Sequence, residues 1–138
     1  MPFYKRSEIK EISLPEQPTA VFQNLSGELI KVGFVTYTKG NIRTPHYHVN
    51  EEEFTYIIEG SQFMILGEEE ALVEEGDLVH TPKGTVHSGI IVAEKTVMFV
   101  TKSPAGDGNM AQDFKEAENA EELIFRLKEK YKELISNY

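Results

Sequence analysis

The sequence predicts an all-β sandwich or barrel followed by one C-terminal helix, and three observations carry that reading. Between about Thr19 and Thr101, short β-rich runs alternate with turn signals at Ser26-Gly27, Lys39-Gly40-Asn41, Gly60-Ser61, Gly67-Glu68, Gly76-Asp77 and Lys83-Gly84. The glycines at 60, 67, 76 and 84 are seven, nine and eight residues apart. That is too close for helices between strands, so hairpins or Greek-key crossings must join them. After Ser103-Pro104 the composition changes, first to the polar and flexible Ala105-Gly106-Asp107-Gly108-Asn109, then to strong helix formers over 117–135.

The 138 residues, 40% of them apolar, suit one domain with its own core. We place the barrel and an N-terminal extension in 1–104, and a linker with a helix packed on the same domain in 105–138. The formal charge is −9, from 23 acidic against 14 basic residues. Such a surface repels nucleic acid and anionic membrane, and neither is expected as a partner. There is no cysteine, which excludes disulfides and thiolate metal sites and leaves imidazole, carboxylate and water as ligands. The opening Met1-Pro2-Phe3-Tyr4-Lys5-Arg6 lacks a signal-peptide apolar run, and stretches such as Phe63 to Leu66 are too short to cross a bilayer. A cytoplasmic location is expected.

In the helix, Ala120, Leu123, Ile124, Leu127, Tyr131, Leu134 and Ile135 recur at spacings of three and four and form one stripe, while Glu122 and Arg126 form an i,i+4 pair. The stripe is expected to dock on the barrel, with a dimer contact as the alternative. On the run Lys31 to Thr38, alternation puts Lys31, Gly33, Val35 and Tyr37 on one face and Val32, Phe34, Thr36 and Thr38 on the other, without saying which is inside.

All four histidines fall in two short stretches. In Gly40 to Gly60, His46 and His48 are two apart. On an extended segment both imidazoles then reach one side and one ion, and a carboxylate shortly after adds a hard oxygen donor. In Gly76 to His87, a strand runs into Pro82-Lys83-Gly84 and delivers His87 at the start of the next strand. A third imidazole from a separate hairpin closes the site.

Here the chain resembles the cupin superfamily. Its first motif, Gly, five residues, His-x-His, three or four residues, Glu, six residues, Gly, is met by Gly40, His46, His48, Glu53 and Gly60. Its second, Gly, five residues, Pro-x-Gly, two residues, His, three residues, Asn, is met by Gly76, Pro82, Gly84 and His87, with Ile91 in place of the asparagine. The resemblance implies a small cupin double-stranded β-helix, an RmlC-like jelly-roll barrel, holding one divalent ion (Fe, Mn, Ni, Co or Zn) with His46, His48, Glu53 and His87. Ile91 replaces a residue that is not a ligand in the family, which suggests a more apolar cavity. Among the three consecutive acids, Glu53 alone leaves six residues before Gly60, and its parity places Thr55 and Ile57 on its own face. Glu51 and Glu52 are expected as solvated turn residues.

Such a ligand set leaves two octahedral positions for water, dioxygen or a chelating substrate. The expected function is a metal-dependent enzyme acting on a small oxygen-rich molecule, a hydroxy, keto or sugar acid, by dioxygenation or by Lewis-acid isomerase, decarboxylase or lyase chemistry. A non-catalytic sensor or small-molecule-binding cupin is the alternative, although no basic helix-turn-helix segment is present to read DNA. Tyr56 and His80 are the catalytic candidates. Parity opposite to the ligands favours packing for Tyr56, as for Tyr47, and His80 becomes an acid or base only if it faces the cavity. Arg43 and Lys83 are the cations nearest the motifs, either of them placed to meet a carboxylate at the mouth, with a solvated loop charge as the default. The resemblance also implies a homodimer, paired through sheet edges or through an exchanged strand such as Ala20-Val21-Phe22; a monomeric elution volume on size exclusion overturns that expectation.

Overall fold

A computed structural model of the chain describes residues 3–136, so Met1 and Pro2 of the opening stretch lie outside it. Alternation settles the inside of the barrel. Lys31, Gly33, Val35 and Tyr37 are buried and their neighbours are less so, which makes the odd-numbered face the inner one.

The strands are β1 (Ile12–Leu14), β2 (Gln17–Ser26), β3 (Lys31–Thr38), β4 (His46–Tyr47), β5 (Glu52–Glu59), β6 (Ser61–Leu66), β7 (Glu69–Glu74), β8 (Leu78–Thr81), β9 (His87–Ile91), β10 (Lys95–Ser103) and β11 (Lys115–Glu116), followed by helix α1 (Ala120–Ile135). They form two antiparallel sheets, ordered β1-β2-β3-β10-β5-β8 and β11-β4-β9-β6-β7. The six turn signals all fall between strands. At Gly60, φ is +89° and a Cβ would come within 2.8 Å of Thr96 Cα, so only glycine lets β5 turn directly into β6 against β10.

Between the sheets lie Ala20, Val35, Tyr37, Ile57, Met64, Val73, Val79, Ile91 and Met98. Each large aliphatic side chain buried there contributes roughly 1.5–3 kcal/mol. Ile91 is fully buried in this cluster, which is where an apolar residue at the divergent motif position belongs. A second cluster lies on the outer face of the five-stranded sheet, where Leu123 and Leu127 of α1 pack on Phe63, Ile65, Ile90 and Val92, with Tyr131 and Leu134 against them. The helix therefore docks on the barrel of its own chain, leaving Phe125 65% exposed. The expected pair of Arg126 with Glu122 gives way to a bridge from Arg126 to Glu70 on β7, 3.1 Å long, because this guanidinium is turned toward the sheet. Ala20, Val21 and Phe22 pair with Tyr37, Thr36 and Val35 of the same chain. Among the described residues, no helix is long and apolar enough to cross a membrane.

The segment between Pro104 and Phe114, expected as a flexible linker, is instead bound across the barrel mouth. Lys31 Nζ donates to the Asn109 carbonyl (2.7 Å), Lys102 Nζ to the Met110 carbonyl (2.7 Å), and β11 pairs with β4. Composition identified a polar loop, and two buried ammonium groups supply the acceptors' partners.

Candidate metal centre

His46 and His87 are direct cross-strand partners in β4 and β9, and His48 follows two residues after His46. The ligand nitrogens of the three imidazoles lie within 4.8 Å of one another, a spacing that one ion at about 2.0–2.2 Å from each can bridge. Glu53 reaches the same place from the other sheet, its Oε2 3.7 Å from His87 Nε2. The four residues expected as ligands are thus brought together at one end of the barrel, where the sheets approach.

Backbone carbonyls orient the rings. His46 Nδ1 faces the Thr44 carbonyl (2.8 Å), His87 Nδ1 the Thr85 carbonyl (3.0 Å) and His48 Nδ1 the Asp113 carbonyl (2.5 Å). A carbonyl can only accept, so each Nδ1 carries the proton and each Nε2 presents a lone pair. His48 Nε2 is buried with no hydrogen-bond partner. An orphaned acceptor among imidazoles fits a divalent ion, and nothing else described in the site satisfies it. Burial pushes His46 down to about 3, helped by the neighbouring His87, and burial likewise pushes His87 to about 4. Both are neutral at physiological pH, as ligands must be.

Without metal, these buried imidazoles make the fold sensitive to acid. The folded-state values lie below the unfolded value of 6.5, so the unfolded chain takes up protons first as pH falls. Stability is fully present above about 6.5 and is expected to be lost between there and about pH 4 to 3. Thermal melts in chelator should show the midpoint falling through that window, and His87→Gln should flatten the slope; an unchanged slope would contradict the assignment.

A buried charge network stands behind His48 and Glu53. Glu51, expected in solvent with Glu52, is only 2% exposed. Its Oε2 accepts from Lys31 Nζ at 2.6 Å, and its Oε1 lies 4.0 Å from Lys102 Nζ and 3.9 Å from His48 Nδ1. Lys102 in turn stands 3.8 Å from Glu53 Oε1. Glu51 shares the inward parity of Glu53, and Lys31 on the inner face of β3 compensates it. Glu52 does face outward, where it pairs with His80 Nε2 at 2.6 Å.

Tyr56 is 44% exposed, and His80 stacks on Phe54 with centroids 4.4 Å apart; both stand on the outer face of their sheet, away from the imidazoles. Tyr47 pairs with Lys115 of β11. Lys83 is exposed in its turn, whereas Arg43 is not a solvated loop charge but bends inward over the Tyr37 ring, 5.1 Å from its centroid.

Two residues give no signal in the sequence. Asp113 accepts the backbone N–H groups of Val49, Asn50 and Glu51 (3.1, 2.6 and 2.9 Å), so its carboxylate fixes the turn after His48 while its carbonyl holds the His48 ring. Desolvation pushes this carboxyl up, but the three backbone amides together carry it below its ordinary value. Phe114 stacks on His46 at 4.6 Å and covers the outer side of the site.

The family model described as "Cupin domain" matches residues 33–101. The chain is 30% identical over 70 residues to the pectin degradation protein KdgF of Dickeya dadantii, an alignment covering 51% of this chain and 64% of that protein, so it spans less than two thirds of that relative. It is 31% identical over 101 residues to an uncharacterized protein of Aquifex aeolicus, covering 73% of this chain and 74% of the relative. Among solved structures, KdgF from Halomonas sp. superposes with a TM-score of 0.70 at 19% identity, covering 75% of this chain and 94% of the other.

Proposed function

The chain belongs to the cupin domain family, and from that premise we propose that it is a metal-dependent enzyme acting on a small oxygen-rich molecule, a hydroxy, keto or sugar acid chelated at one divalent ion. The observation that carries this reading is the buried, unpartnered His48 Nε2 set among two further imidazoles and a carboxylate. We assign His46, His48 and His87 to the ion through Nε2 and Glu53 as the oxygen donor.

When bound, the ion supplies Lewis acidity, and if it is iron it also supplies a route to dioxygen chemistry. The chain's own residues supply the setting. Carbonyls of Thr44, Thr85 and Asp113 hold the rings, Lys102 neutralises part of the charge on Glu53, and the apolar interior beyond Thr55 excludes bulk water. The relative named for pectin degradation keeps a carbohydrate-derived acid within the substrate class. A homodimer is part of the same proposal, with the exposed Phe54, Tyr56 and Leu78 offering an apolar outer face. So is a cytoplasmic location, which a cysteine-free composition favours.

The test is turnover by protein reconstituted separately with Fe, Mn, Ni, Co and Zn and offered hydroxy, keto and sugar acids. Oxygen uptake only with iron selects dioxygenation, and product without oxygen selects isomerase, decarboxylase or lyase chemistry. Ligand-induced stabilisation with no turnover under any metal would sink the enzyme reading in favour of a binding or sensor module.

A further inference from the structure

We propose that Arg43 is the anion anchor of this site and that the molecule held beside the metal carries a carboxylate directed at its guanidinium. The inference rests on the metal-site reading above and goes beyond it by fixing the charge and orientation of the ligand.

Arg43 is tied to the strand that bears His87. Its N–H donates to the Gly89 carbonyl at 3.2 Å, and its own carbonyl accepts from Ser88 Oγ. From there the side chain enters the barrel rather than leaving it. Nη2 donates to Gln62 Oε1, the guanidinium lies over the Tyr37 ring, and Gln62 is held from behind by its own contact to Met98 Sδ (3.1 Å). Gly89 is what makes room, because a Cβ there would collide with Nη2. Gly89 and His87 share the inner face of β9, two residues and so roughly 7 Å apart. The guanidinium therefore sits one pleat inward from His87.

Its bonding is incomplete. Nη1 is buried and has no hydrogen-bond partner, and among the described residues no carboxylate lies within 4.0 Å of Arg43. A guanidinium cannot shed its proton, so burial with an idle donor is unfavourable until an acceptor arrives. The surrounding charges say which acceptor. Lys31, Lys102 and Arg43 stand against Glu51, Glu53 and Asp113 around the site, an even balance that a divalent ion turns into a surplus of two positive charges, within a chain of net charge −9. A short hydroxy or keto acid bridges the two demands, with oxygens for the ion and a carboxylate for Nη1. A neutral diol or sugar leaves the guanidinium unpaired.

The experiment is calorimetric titration of zinc-loaded protein with lactate and malate, and with the neutral 1,2-propanediol, for the parent, Arg43→Gln and Arg43→Lys, with metal content measured on every sample. The acids should saturate the parent and the diol should not. Arg43→Gln should weaken the acids at least tenfold while the bound metal is unchanged, and Arg43→Lys should recover part of the loss. Gly89→Ala, which displaces the guanidinium without removing a charge, should weaken the acids in the same direction and supplies the comparison if Arg43→Gln does not fold. Acids that bind the parent and Arg43→Gln alike, or that fail to bind a parent carrying zinc, overturn this assignment alone. A parent that takes up no metal overturns it together with the metal-site reading.

Discussion

Lys31→Ala is expected to destabilise the fold by about 3–5 kcal/mol, the range for removing one partner of a buried ion pair. Lys31 is fully buried and its ammonium has three acceptors, Glu51 Oε2, the Asn109 carbonyl and Gln112 Oε1. Truncation leaves the Glu51 carboxylate in the barrel with only a distant Lys102 and strips the loop carbonyl of its donor. For a chain of this size the melting temperature should fall by on the order of ten degrees. The double change Lys31→Met with Glu51→Leu should recover much of that loss, since it removes both charges rather than stranding one. Thermal melts decide it: a fall of a degree or two in Lys31→Ala would mean the pair is hydrated and does not hold the site.

Elemental analysis of protein purified without chelator or a histidine tag should find about one equivalent of divalent metal, as four converging ligands imply. His48→Ala and His87→Ala should each weaken binding by more than the roughly ten- to hundredfold that loss of a mere supporting contact costs, leaving none after dialysis. Each removes an Nε2 that its carbonyl partner has already oriented. Retention of metal in both variants would place the ion elsewhere. Glu53→Gln tests the oxygen donor, and should weaken binding while sparing the fold.

The convergence of the three imidazoles was legible because its geometry is local. His46 and His48 share a face by parity, and a Pro-x-Gly turn delivers His87 beside them. Glu51 was misread although its signal was present, for it has the same parity as Glu53, Thr55 and Ile57, and Lys31 has the parity of Val35 and Tyr37. Opposite charges on two inward faces indicate a buried pair, but only once the inner face is known, and alternation alone does not supply that. Arg43 was noticed for its proximity, while its direction depended on Gly89 making space 46 residues later. Asp113 was beyond reach. Its contacts span 62 to 65 residues, and the one that matters to His48 uses a main-chain oxygen that every residue type possesses. The helix was read correctly in kind, and its stripe docks where an uncovered outer sheet face needed it.

The strap over the barrel mouth is gripped at Asn109, Met110 and Asp113 through carbonyl oxygens. Main-chain acceptors survive almost any substitution, so the side chains of Met110 and Ala111 are free to drift without loosening the grip on His48. Inheritance can thus remodel what stands over the imidazoles while their own surroundings stay constant, and homologues with the same three histidines can be expected to diverge in what covers them.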